Sequence, residues 1–190
     1  MYPKLFTHIK KHVSLTDADE ALITNKLTLT KLRKKTFILQ PGKICQGNYF
    51  ILKGCVRMYF VNKKLTEQIT QFGLENWWLA DYDSLYNQKP STYYLQAVED
   101  CELLLLTPQH ETELISAIPQ LQTYFRNMFE KSVIAAQRRI HYISSMNDEE
   151  LYREFSRLFP EFIQRVPQYM LASYLGFTPQ FLSRIRAKKV

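Results

Sequence analysis

The stretch Leu171–Lys189, LASYLGFTPQFLSRIRAKK, decides how this chain is read. Gly176 divides it into two short helical patterns. Thr178 is placed to cap the second helix, and Pro179 falls at its first position, where a missing N–H costs nothing. Ala172 lies four residues before Gly176, and Leu171, Leu175, Phe177, Leu182 and Ile185 fall where two inner faces should meet. A small residue at the contact, a glycine at the turn and apolar inner faces are what a helix-turn-helix requires. With Leu182 and Ile185 turned inward, the second helix presents Gln180, Phe181, Ser183, Arg184, Ala187 and Lys188.

Those outward side chains suit double-stranded DNA. Arginine makes a forked pair to guanine and glutamine one to adenine, so Arg184 and Gln180 are the candidate base readers, with Thr178, Phe181 and Ser183 beside them. Arg186, Lys188 and Lys189 are placed for phosphate contacts, which add affinity without sequence information. Charge distribution points the same way. Residues 67–113 hold nine acids and one cation, Lys89, whereas residues 162–190 hold five cations and no acid. The net charge is +7. A block asymmetry of this sign implies a polyanionic partner for the C-terminal end.

The remaining composition excludes several classes. At 190 residues and 46% hydrophobic content, with five glycines, the chain can bury a core. No apolar run approaches the length of a membrane span, and MYPKLFTHIKKHV at the N-terminus lacks a signal-peptide core, so a cytoplasmic protein with no membrane partner is expected. Cys45, Cys55 and Cys101 form no CxxC pair and read as buried thiols. His8, His12, His110 and His141 are scattered and read as surface residues. Residues 27–107 contain no histidine, which removes the metal-dependent jelly-roll enzymes. No enzyme activity, cofactor or metal is expected.

Upstream, Thr16-Asp17-Ala18-Asp19 marks a capped helix running to about Asn25. LTLTKLRKKTFILQ, NYFILKGCVRMYFV, LTEQITQF and YYLQAVEDCELLLLT then read as strands, separated by turns at Pro41-Gly42, Lys53-Gly54 and Glu99-Asp100. They predict a β-roll or jelly roll over roughly 27–107. Thr107-Pro108 opens helical sequence. Ile118, Leu121, Phe125, Phe129, Val133, Ala136, Ile140 and Ile143 then recur at steps of three and four, flanked by further apolar residues. A face that wide predicts one side packed on the β-domain and another on a second copy of the chain. Candidate dimer residues are Leu121, Phe125, Met128, Ser132, Ala135 and Tyr142. The expected class is α+β, with a β-roll and flanking helices over 1–117, a dimerisation helix over 118–146 and a helix-turn-helix domain over 147–190.

This order of parts resembles the cyclic-AMP receptor/Fnr (Crp/Fnr) family of bacterial transcription regulators. YMLASYLGFTPQFLSRIRAKK and PSTYYLQAVEDCELLLL carry the resemblance most specifically, the second being similar to the last hairpin of a cyclic nucleotide-binding domain. The resemblance implies a homodimer on a pseudo-palindrome, with RNA polymerase among its partners and a small-molecule effector in each roll. Gln180 and Arg184 take the places of the family's base-reading glutamate and arginine. The effector cassette departs from the family, which has adjacent Gly-Glu and, about ten residues on, an arginine. Here Gly73 and Glu75 are split by Leu74, and Ser91-Thr92 stand where the arginine belongs. Little sequence follows the last helix to form a further wing. Without the arginine, cyclic AMP is expected not to bind, Trp77 and Trp78 being candidates to fill the pocket. Two alternatives stay open: a cyclic-nucleotide-responsive regulator with a non-standard phosphate site, for which Lys89 would be the cation, and a ligand sensor or interaction protein that binds no DNA.

Overall fold

The computed structural model describes residues 1–187. In chain order, helices α1 (Pro3–Lys10) and α2 (Asp17–Lys26) precede strands β1 (Thr28–Leu32), β2 (Phe37–Leu39), β3 (Asn48–Lys53), β4 (Val56–Val61), β5 (Glu67–Gly73) and β6 (Trp78–Leu79). A short helix α3 (Tyr82–Asn87) leads to β7 (Tyr94–Ala97) and β8 (Cys101–Leu106). Helices α4 (Pro108–Ala117), α5 (Leu121–Ser145), α6 (Asp148–Leu158), α7 (Pro160–Arg165), α8 (Gln168–Leu175) and α9 (Pro179–Ala187) complete the described chain. The chain divides into two compact units, residues 1–59 with 72–130, and residues 60–71 with 131 onward.

Two four-stranded sheets are ordered β1-β8-β3-β6 and β2-β7-β4-β5; residues 60–71, with most of β5, belong to the second unit. The register between β3 and β8 sets Phe50 opposite Leu104 and Ile51 opposite Leu103. Successive side chains point to opposite faces. Ile51 and Leu103 therefore enter the space between the sheets, where they join Leu39, Cys45, Val56, Leu79, Leu85, Leu95, Ala97 and Cys101. Phe50, Leu52, Leu104 and Leu106 point the other way, onto Leu5, Phe6 and Ile9 of α1, Ile23 of α2, Leu114 of α4, and Leu121 and Tyr124 of α5. Strand β8 is thus covered on both faces. That is why LLLL at 103–106 is continuous rather than alternating.

The caps behave as their sequences predict. Thr16 and Asp19 form a reciprocal capping box at α2, Thr107 caps α4 through the His110 amide, and Asn147 and Glu150 form a second box at α6. The N-terminal segment differs from the sequence reading. It is a helix whose Leu5, Phe6 and Ile9 are core, and its histidines are not plain surface residues. His8 Nδ1 lies 2.9 Å from the Tyr124 hydroxyl, and its ring packs on Phe50. Helices α3 and α7, each of six residues, carry too little periodicity to stand out from sequence.

In the second unit, Leu151, Phe162, Val166, Met170, Leu171, Ala172, Leu175, Leu182 and Ile185 are buried. Gly176 ends α8 at φ 86°, in the left-handed region that glycine enters without strain, and the Phe177 amide returns to the Ala172 carbonyl at 2.8 Å.

Candidate nucleic-acid interface and effector cassette

The α8–α9 pair is built as its sequence requires. Leu182 and Ile185 are buried, whereas Gln180, Ser183, Arg184, Arg186 and Ala187 are exposed. Thr178 Oγ1 accepts the Phe181 amide at 3.2 Å, satisfying one donor of the first turn of α9. Phe181 is half-buried against Phe177, with ring centroids 5.7 Å apart, and the Arg184 guanidinium lies 5.6 Å from the Phe181 ring. Phe181 therefore serves the packing beneath the outer face, while Gln180, Ser183 and Arg184 make up that face. Lys188 and Lys189 lie outside the described residues.

The cassette residues have separate structural tasks. Gly73 ends β5, and a Cβ there would come within 2.6 Å of the Ile51 Cδ1 atom, so a side chain at this position would displace the end of Ile51 in the roll interior. Glu75 Oε1 accepts the Gly54 amide at 2.8 Å, tying it to the β3–β4 turn. Ser91 is buried, donating to Asp81 Oδ2 at 2.6 Å and accepting the Tyr93 amide at 2.9 Å. Thr92 is exposed. Asp81, also buried, is the residue that sequence reading missed. Its Oδ1 accepts the Ser84 amide at 3.3 Å and caps α3. The Ser84 hydroxyl accepts from the Cys45 amide and donates to the Lys89 carbonyl. The signal was an aspartate three residues before a serine, too short a helix start to notice.

Cations are absent from this network. Lys89 pairs with Asp83 at 2.6 Å and is about half exposed. Arg57 is the one buried cation among the described residues, with Nε and Nη2 both on Gln96 Oε1 and its guanidinium 4.1 Å over the Tyr59 ring. It alternates with Val56, which faces the roll interior, so Arg57 points to the opposite face of β4. The tryptophans do not fill the roll. Trp77 is exposed, and Trp78 packs on Phe50 and Phe125 on the helix side of its sheet, its Nε1 donating to the Tyr124 hydroxyl at 2.8 Å. Aliphatic side chains fill the interior instead.

Along α5, Leu121 is core, and Phe125 and Met128 pack against the same cluster. Ser132 and Tyr142 are half-buried, and Ala135 is exposed. A different stripe is open: Phe129, Val133, Ala136, Ile140 and Ile143, with Ile134 beside it. Its spacing of four, three, four and three is that of a coiled-coil seam.

Comparison with known proteins agrees with this architecture. Residues 29–117 match the model of the cyclic nucleotide-binding domain family. No curated protein matches the sequence. Among solved structures, the chain is similar to FixK2 of Bradyrhizobium japonicum, at 17% identity and a TM-score of 0.70, covering 85% of this chain and 83% of that one. It is also similar to the c-di-GMP responsive global regulator CLP of Xanthomonas campestris, at 12% identity and a TM-score of 0.71, covering 91% of each chain. A CRP/FNR family transcriptional regulator of Thermus thermophilus matches at 14% identity and a TM-score of 0.59, covering 85% of this chain and 84% of that one. Residues 29–117 thus match the cyclic nucleotide-binding domain family, within a chain whose fold is similar to those of these three solved structures, a CRP/FNR family regulator among them.

Proposed function

We propose that this protein is a dimeric, sequence-specific DNA-binding transcription regulator whose effector domain does not take cyclic AMP. The observation that carries the DNA reading is the outer face of α9. Gln180, Ser183 and Arg184 stand exposed on a helix packed through Leu182 and Ile185, in a segment without an acid from 162 onward. With α8 it forms a helix-turn-helix, α9 being the helix that enters the major groove. A second copy of the chain joins along α5, which sets two reading helices on half-sites one helical turn, about 34 Å, apart. The division into an effector roll, a dimerisation helix and a DNA-binding head follows from those roles.

The loss of cyclic-nucleotide binding rests on Asp81. A buried cyclic phosphate needs a charged donor to offset its desolvation. The hydroxyl of Ser91, at the position of the family's arginine, is already given to a buried carboxylate. A second anion beside Asp81 would add repulsion to an uncompensated charge.

Purified protein enriched against random DNA should select a two-fold repeat. Arg184→Ala should then cost about 1–3 kcal/mol and relax specificity at one base pair. Selection of no repeat, or an Arg184→Ala protein with unchanged affinity and preference, would overturn the DNA reading. Calorimetry with cyclic AMP should show no stoichiometric heat, and a micromolar isotherm would overturn the effector reading.

A further inference from the structure

Strand β5 is the last strand in the order β2-β7-β4-β5, so one of its edges has no strand partner. An open edge leaves alternate N–H and C=O groups without ladder bonds. On this edge one side chain of α8 supplies two such bonds. The Ser173 hydroxyl donates to the Glu67 carbonyl at 2.7 Å and accepts the Ile69 amide at 3.0 Å. A residue of a parallel neighbouring strand would make the same two bonds, one to the carbonyl of residue i and one from the amide of residue i+2. One hydroxyl therefore replaces one residue of a missing strand. Ile69 itself is buried. The next residue of α8 is tied elsewhere: Arg139 of α5 donates to the Tyr174 carbonyl at 2.7 Å, with its guanidinium 4.5 Å over the Tyr174 ring. Helix α8 is thus held at adjacent residues by two elements of its own unit.

We infer that Ser173 is a positioning residue, a latch that fixes the orientation of α8–α9 on the edge of β5. The inference rests on the reading of α9 as the DNA-reading helix. Serine is suited to the task because its hydroxyl both donates and accepts, and it fits a half-buried helix position without bulk. Strand β5 runs on from Ile69 to Gly73, and Glu75 follows, so the strand that the latch grips ends at the effector cassette. Two heads held at fixed orientation meet two half-sites together. Heads free to swivel lose that advantage while each retains its own base contacts.

Ser173→Ala removes both bonds and is benign to helix formation, and Ser173→Thr keeps the hydroxyl. In the full-length dimer, Ser173→Ala should speed amide exchange at Ile69 by on the order of tenfold, with the Thr variant close to wild type. It should weaken binding to the selected two-half-site DNA roughly tenfold and leave binding to a single half-site unchanged. A folding defect would lower both affinities, so the ratio isolates positioning. Unchanged Ile69 exchange overturns the latch. Faster exchange with an unchanged ratio overturns its positioning role, as does an equal loss on both DNAs. If the wild-type protein binds no DNA, the reading of α9 fails, and the latch then stands or falls on Ile69 exchange alone.

Discussion

The hydroxyl of Tyr124 lies at zero exposure between two polar groups drawn from distant parts of the chain. Burial keeps it protonated, raising its pKa well above the ordinary tyrosine range. Trp78 Nε1 donates to it at 2.8 Å, and His8 Nδ1 shares a hydrogen bond with it at 2.9 Å whose direction follows the imidazole tautomer. Tyr124→Phe keeps the ring and strands both partners, so it should destabilise the protein by about 1–3 kcal/mol, read from urea midpoints at constant slope. Glu111 is shifted in the same direction, but across a pH range that matters for stability. It lies in the first turn of α4, and burial raises its pKa above the ordinary 4.5. The folded state then binds its proton more tightly than the unfolded state, so stability falls as pH rises from the ordinary value through the raised one. Glu111→Gln should therefore stabilise modestly at pH 7, with the gain vanishing below about pH 4.5. A gain that grew on acidification would contradict the burial argument.

At the scale of elements, two glycines separate conformational cost from crowding. Gly176, at φ +86°, has nothing within 4 Å of where a Cβ would stand. Gly176→Ala should cost only the left-handed penalty, about 1–2 kcal/mol. Gly54, at φ +103°, would set its Cβ 2.5 Å from Cys101 Sγ and 2.7 Å from the Asp100 carbonyl. There the conformational and packing costs add, to roughly 2–5 kcal/mol. Thermal unfolding of the two variants should rank them in that order, and equal losses would show that the β3–β4 turn yields. Both glycines were legible as turns in the sequence. Their difference was not, because it depends on β8 passing beside the β3–β4 turn.

For the whole molecule, the deciding surface is α5. The sequence shows a helix apolar over most of its circumference but does not say which side the β-domain takes. Leu121, Phe125 and Met128 pack in the chain's own core, whereas Phe129, Val133, Ala136, Ile140 and Ile143 are exposed, the face that the proposed dimer would use. For the proposed dimer we therefore propose this stripe as the seam, beside the expected set of Leu121, Phe125, Met128, Ser132, Ala135 and Tyr142. Ile140→Glu places an unpaired charge in that seam and should weaken the dimer by about 3 kcal/mol or more, roughly two orders of magnitude. Ala135→Glu, off the stripe, should leave it intact. Sedimentation equilibrium distinguishes the two, and dissociation by Ala135→Glu alone would return the seam to the other face.

What the sequence determined by itself is whatever a few neighbouring residues can specify. The capping boxes at Thr16 and Asn147, the left-handed stop at Gly176, the strands between 27 and 107 and the inward Leu182 and Ile185 all rest on contacts within a turn or on a strand's own alternation. Tertiary structure decided the pairings between residues far apart in the chain: Ser173 with the edge of β5, Tyr124 with His8, and Ser91 with Asp81. A side-chain hydrogen bond is satisfied or lost within a few tenths of an ångström. Its partner is therefore fixed by strand register and helix docking, which no local pattern of residue types encodes.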